Sequence, residues 1–174
     1  MLPTFLIHSS DSKDRDEIVA NLVNETNAEI VEAIILDNRL LGCSMSHLKV
    51  AHLARHLYPN APYLVFEDDC VLKPGWNEAL SDLSGEVVYL GYNDRHVSGV
   101  LFGTHAMLIY PKARDFLIEH LEAELRKTVF TLPIDWLCWQ LWQKGQFEVG
   151  YPDQKDVYCE QKKGLVSLIS GNIR

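Results

Sequence analysis

The chain has 174 residues, a formal net charge of −8, 47% hydrophobic residues and 23% charged ones. That length and balance fit one globular domain over residues 1–174 with a core of its own and no need of staples. The acidic balance excludes a non-specific nucleic-acid binder, which needs a basic face, but it leaves room for an anionic nucleotide, because a bound metal reverses the local sign.

Thr4 to His8 reads as a strand. Met1 to His8 has neither a basic n-region nor a cleavage site, so it is not expected to be a signal peptide. Ser9-Ser10-Asp11-Ser12 can cap a helix from about Asp14 to Asn24 that turns Ile18, Val19 and Leu22 inward. Glu29 to Leu36 looks like a second strand. Gly42-Cys43-Ser44 opens a helix to about Leu57, in which Val50, Leu53, Ala54 and Leu57 recur at helical spacing, and Pro59 and Pro62 break it. Tyr63 to Phe66 is a third, apolar strand.

Beyond it come a turn at Lys73-Pro74-Gly75, a short helix from Trp76 to Leu83, and a strand from Glu86 to Leu90. Two strands, Val97 to Phe102 and Ala106 to Tyr110, flank Gly103. A helix from Lys112 to Leu125 carries Ala113, Phe116, Leu117 and Leu121 as its inner stripe. Another helix runs from Pro133 to Trp142, and late strands from Gln146 to Tyr151 and Val157 to Cys159 precede a tail from Gly164 to Arg174. Strand–helix alternation followed by a mixed sheet predicts an α/β sandwich. No run of 18 apolar residues occurs, so no transmembrane helix is expected. The four cysteines, Cys43, Cys70, Cys138 and Cys159, never form C-x-x-C, which removes zinc knuckles and thioredoxin-like motifs; reduced thiols in a cytosol-like compartment are the simplest reading, and the even count leaves disulfides open without requiring them.

The triplet Glu67-Asp68-Asp69 directly follows the third strand. Adjacent carboxylates repel, so they stay out of a core unless something positive offsets them. Such oxygen clusters suit Mg²⁺ or Mn²⁺, and ligands of open α/β sheets bind beyond the carboxyl ends of strands. A metal holding a diphosphate is one reading, and a solvated acidic turn the other. Gly42 to His47 reads either as an anion-binding helix start with His47 donating to a phosphate or sugar, or as a plain capping cluster. Cys43 beside His47 is a conceivable nucleophile–base pair, against the usual fate of cysteine as a small buried residue. His52 and His56 share a helix face without a third ligand and read as surface residues. Asp135, in the first turn of its helix, either serves the helix dipole or acts as a general base. Trp139 and Trp142 fit the core, while Trp136 could stack on a sugar.

Taken in order, Asp14-Arg15, Gly42-Cys43-Ser44-Met45-Ser46-His47, Glu67-Asp68-Asp69, Gly103-Thr104-His105-Ala106-Met107, Pro133-Ile134-Asp135 and a late Gln161 resemble glycosyltransferase family 25, the lipopolysaccharide sugar transferases and collagen galactosyltransferases. The resemblance runs over nearly the whole chain. It implies a single-domain GT-A-like mixed sheet flanked by helices, a UDP-sugar donor (often UDP-galactose), Mn²⁺ or Mg²⁺, and inversion at the anomeric carbon. It places Asp69 and Glu67 at the metal, with Glu67 also able to meet the ribose. It puts Arg15 and Ser46 near the nucleotide, makes His47 a catalytic residue that, like Arg15, adds positive charge or a donor at the diphosphate, and gives Asp135 the acid of the later element. Asn93 and Asp94, in a loop after a strand end, could read sugar hydroxyls, and Asp68 either orients the motif or touches ligand. The implied partners are a nucleotide-sugar donor and a glycan, glycolipid or protein-linked acceptor. The expected location is the cytoplasm, including peripheral association with the inner membrane face. Two departures stand out: the segment from Leu36 to Gly42 is short, and Met107 replaces the family's tyrosine. Rival readings are a sugar-nucleotide-binding module without turnover and a metal-dependent hydrolase.

Overall fold

The computed structural model describes residues 2–92, 103–127, 133–154 and 157–162. Asn93 and Asp94, the strand expected from Val97 to Phe102 and the tail from Gly164 lie outside the described residues.

The strands are β1 (Thr4–His8), β2 (Glu29–Glu32), β3 (Tyr63–Glu67), β4 (Cys70–Leu72), β5 (Val87–Tyr89), β6 (Ala106–Ile109), β7 (Val149–Gly150) and β8 (Cys159–Gln161). The helices are α1 (Asp16–Thr26), α2 (Arg39–Leu57), α3 (Ala79–Asp82), α4 (Pro111–Leu125) and α5 (Ile134–Gln143). Six strands form one mixed sheet in the order β2-β1-β3-β6-β5-β7, and β4 pairs with β8 in a second, two-stranded sheet. β1 runs parallel to both β2 and β3, β6 is antiparallel to β3 and β5, and β7 is parallel to β5.

β1 and β6 are buried end to end, and β3 is buried up to Glu67. That explains their near-continuous apolar sequences, since a strand covered on both faces needs no polar alternation. Side chains alternate between the faces. Phe5, Ile7, Tyr63, Val65, Met107 and Ile109 pack on α2, α4 and α5, while Leu6, Leu64, Phe66 and Leu108 pack on α1 and the β4–β8 pair. The result is an α/β sandwich. Met107 is wholly buried in the centre of the sheet, between Val65 and Tyr89 on the neighbouring strands, where an apolar side chain needs no partner for a hydroxyl.

The helix expected to open at Gly42 starts at Arg39 instead, capped by Asn38, whose side chain accepts from the Leu41 N–H. An Asn cap satisfies an otherwise orphaned backbone donor and so fixes the start one turn earlier. The Gly42 N–H is already used, donating to the Asn38 carbonyl, so the Gly-Cys-Ser cluster offers no free helix-start donors to an anion. Gly42 serves packing. A Cβ there would sit 2.5 Å from the Ile34 carbonyl oxygen and 3.3 Å from the Leu36 nitrogen. Ala is the better helix former by about 1 kcal/mol, but overpacking against backbone costs about 1–3 kcal/mol. Gly42→Ala is therefore expected to lower unfolding free energy by up to about 2 kcal/mol in urea titration; a variant more stable than the parent would show that the segment after β2 yields freely.

Candidate active site

The acidic triplet does not point one way. Each carboxylate leaves the end of β3 in its own direction and finds its own positive or donor partner, which is how three adjacent acids are accommodated.

Glu67 turns toward α2. Its Oε1 accepts from Thr104 Oγ1 at 2.6 Å and lies 3.0 Å from His47 Nε2. Burial pushes this carboxyl up, but hydrogen bonds and charge from His47, the Thr104 hydroxyl and the nearby His105 outweigh it and hold Glu67 at about 2. His47 reaches Glu67 because it lies in the third turn of α2, where it is 3% exposed. Ser46 donates to the Gly42 carbonyl at 2.9 Å and accepts from the Ile34 N–H at 2.8 Å. Its hydroxyl thus fastens α2 to the segment after β2.

Asp68 turns inward and is 1% exposed. It accepts from Arg15 Nη1 and from the Ser9 N–H, and lies 2.9 Å from His8 Nδ1. Arg15, on the short turn of 3-10 helix before α1, is itself 2% exposed. Removing one partner of a buried ion pair leaves an uncompensated charge, at about 3–5 kcal/mol. Because His8 still faces Asp68, Arg15→Met is expected to fall near the low end, about 3 kcal/mol, in chemical denaturation. A loss below about 0.5 kcal/mol, the size of an exposed pair, would show that Arg15 is free to serve a ligand instead.

Asp69 turns toward β8. Its Oδ2 accepts from Gln161 Nε2 at 2.7 Å, and its backbone carbonyl accepts from the Lys162 N–H. Its Oδ1 is buried without a partner among the described residues. Burial, then the neighbouring Glu67 charge, push Asp69 up to about 6, against the opposing pull of His105, Arg15 and the Gln161 amide.

Asp135 completes the group. The Ser44 hydroxyl, from α2, accepts the Ile134 N–H and so pins the first turn of α5 beside α2. There Asp135 Oδ1 accepts a long 3.4 Å bond from the Gly103 N–H. Burial, followed by the Glu67 charge, raises Asp135 to about 6 despite Gly103, His47 and His105. The loop Gly103-Thr104-His105 therefore links Glu67 and Asp135, and the same loop brings His105, a residue without an assigned role in the sequence reading. His105 is 1% exposed, and neither ring nitrogen has a hydrogen bond of ordinary geometry. Burial lowers its pKa, but the Cys159 thiol and the charges of Asp69 and Glu67 outweigh that and raise it to about 9. That direction favours the imidazolium, whose charge offsets those of the acids. Gly91 and Gly103 make room for it: a Cβ on Gly91 would be 3.2 Å from His105 Nε2, and one on Gly103 3.3 Å from His105 Cε1.

Thr104 and Gln161 also have no sequence-assigned role, because their jobs depend on β6 and β8 lying beside β3 and β4. His52 pairs with Glu122 at 3.0 Å and ties α2 to α4, while His56 is exposed. Trp142 packs against the core, and Trp136 and Trp139 meet edge to face at 5.8 Å. None of the four cysteines is in a disulfide. No helix among the described residues is long and apolar enough to cross a membrane.

No model of a known protein family matches the chain, and no curated protein sequence does. Solved structures do match. A glycosyltransferase involved in the glycosylation of the major capsid of PBCV-1 superposes with a TM-score of 0.52 at 12% identity, over 83% of this chain and 77% of that one. The glycosyltransferase GlyE of Streptococcus pneumoniae TIGR4 superposes with a TM-score of 0.53 at 11% identity, over 87% of this chain and 45% of GlyE. The chain thus spans less than half the length of GlyE. The six-stranded mixed sheet between helices is a GT-A-like glycosyltransferase fold.

Proposed function

We propose that the protein transfers a sugar, with inversion, from a UDP-sugar to a hydroxyl acceptor, in the manner of glycosyltransferase family 25. The observation that carries this reading is the buried Oδ1 of Asp69, without a partner among the described residues, at the carboxyl end of β3, where ligands of open α/β sheets bind. An isolated carboxylate oxygen out of water is costly unless a cation meets it. Its hard oxygen chemistry fits Mg²⁺ or Mn²⁺, with few protein ligands and the rest from phosphate and water. Asp69 would hold the ion, with Glu67 at its edge or on the ribose. The ion supplies positive charge for the diphosphate leaving group.

The chain's own residues do the rest. Gln161 fixes the Asp69 carboxylate by its other oxygen. His105, pushed toward its charged form beside the acids, would add positive charge suited to an incoming diphosphate. His47 and Thr104 lock the rotamer of Glu67, and Arg15 and Ser46 hold the walls from behind through Asp68 and the segment after β2. Asp135, with its pKa raised to about 6, is ionised at neutral pH yet basic enough to take the acceptor hydroxyl proton. In-line attack by that oxygen inverts the anomeric centre. Galactose as the sugar, Asn93 and Asp94 as its readers, a glycan or glycolipid acceptor and work at a cytoplasmic membrane face belong to the same proposal.

Calorimetry with UDP-sugars, with and without Mn²⁺, tests the reading. Metal-dependent binding of an intact UDP-sugar is expected. Binding without any product after an acceptor screen would favour the module without turnover, and water-dependent cleavage of simple phosphate esters would favour a hydrolase.

A further inference from the structure

A second cluster of metal-ligating groups lies on the α2 side of Glu67. Cys43 and His47 are four residues apart on α2 and so project from one face of the helix. Glu67 meets them from the end of β3. Cys43 Sγ is 4.0 Å and His47 Nε2 3.0 Å from the same Glu67 oxygen, and the three ligand atoms all lie within 4.8 Å of one another. A tetrahedral zinc ion, with bonds of about 2.0–2.3 Å, spaces N, O and S ligands by roughly 3.3–3.5 Å. Small rotamer adjustments of side chains already in reach close that gap. The three residues also line one cleft of about 50 Å³, bounded further by Ile34, Leu36 and Arg39. That exceeds the ~10–15 Å³ one water occupies by this measure, so a fourth ligand has room.

The donor set argues for the metal. Thiolate and imidazole with one carboxylate select Zn²⁺, whereas Mg²⁺ and Mn²⁺ prefer all-oxygen surroundings. We propose that Cys43, His47 and Glu67 form a zinc site, separate from the ion proposed at Asp69, with its fourth position open to the cleft. On binding, the Cys43 thiol gives its proton to solvent, and the His47 Nε2 proton passes by way of water to Nδ1, so that a bare Nε2 meets the ion in place of its hydrogen bond to Glu67. The Thr104 hydroxyl stays on the Glu67 carboxylate as an outer-shell donor. The site goes beyond the transferase reading and does not depend on it.

The test is a Co²⁺ titration of the chelator-treated full chain, followed by Zn²⁺ competition. One equivalent of Co²⁺ is expected to produce a thiolate-to-cobalt charge-transfer band with tetrahedral visible bands, all bleached by Zn²⁺. Cys43→Ser, a near-isosteric change at a half-buried position, is expected to keep the metal-free circular dichroism spectrum and lose the charge-transfer band. In His47→Ala, zinc affinity should fall by more than about tenfold, at least the loss an outer-shell partner causes. Absence of the band at stoichiometric Co²⁺, its persistence in Cys43→Ser, or equal zinc affinity in Cys43→Ser and the parent would each overturn the proposal. No sugar donor enters the measurement, so failure of the transferase reading would leave its outcome intact.

Discussion

Asp135→Asn is expected to lower the turnover number by about 10²–10⁴-fold, the contribution of a positioned general base, and at the same time to raise the melting temperature near neutral pH. Both effects come from one cause. Burial and the Glu67 charge lift the folded-state pKa of Asp135 from 3.8 to about 6. Between those values the folded protein binds the proton more tightly than the unfolded chain does. The stabilising effect is full at pH values below the unfolded pKa and is lost as pH rises through about 6. At neutral pH the fold therefore carries an ionised carboxylate at a cost. A two-unit shift is an upper bound of about 3 kcal/mol, and partial access to water brings it to about 1–2 kcal/mol.

Asparagine keeps the acceptor for the Gly103 N–H without the charge. A gain of a few degrees by circular dichroism is the expected size. In the parent protein, the proposed activity should fall as pH drops through about 6, where Asp135 becomes protonated. A normal turnover number in Asp135→Asn would remove Asp135 from the base role.

Asp69→Ala has the other large expected effect: loss of Mn²⁺-dependent turnover by about 10³-fold or more, several kcal/mol of leaving-group charge stabilisation. The fold should survive. The variant sheds a buried carboxylate whose pKa is pushed up to about 6, and the amide it leaves behind on Gln161 is only half-buried and within reach of water. The thermal shift that Mn²⁺ gives with UDP-sugar should vanish with the activity. Full Mn²⁺-dependent turnover in this variant would place the metal elsewhere and undo the reading of the Asp69 Oδ1.

The sheet was largely legible in the sequence because its central strands are covered on both faces. Runs such as Tyr63-Leu64-Val65-Phe66 leave no polar position to mislead. α4 was legible from the spacing of Ala113, Leu117 and Leu121, and it begins one residue before the expected start, at Pro111. β4 was not: Cys70–Leu72 is a strand only because Cys159–Gln161 lies beside it, a pairing across about half the chain that no local pattern encodes. The start of α2 was missed because Gly42 was read as the helix opening, when its small size serves contact with Ile34 and the cap is Asn38.

At the site, the sequence placed three acids together and called for compensation, and the structure supplies it. What it could not convey is direction. Glu67, Asp68 and Asp69 diverge because His47, Arg15 and Gln161 approach from α2, the turn before α1 and β8 in turn. His105 stayed hidden for the same reason, since its weight comes entirely from its neighbours across the sheet.

The most direct test of sugar transfer is a donor panel: UDP-galactose, UDP-glucose, UDP-N-acetylglucosamine and a GDP-sugar, each with and without Mn²⁺, scored by release of free nucleotide. Mn²⁺-dependent release of UDP from one UDP-sugar, UDP-galactose first, and its loss in Asp69→Ala, is the expected result. Release that ignores Mn²⁺, or no release from any donor in the presence of a hydroxyl acceptor library, would contradict it.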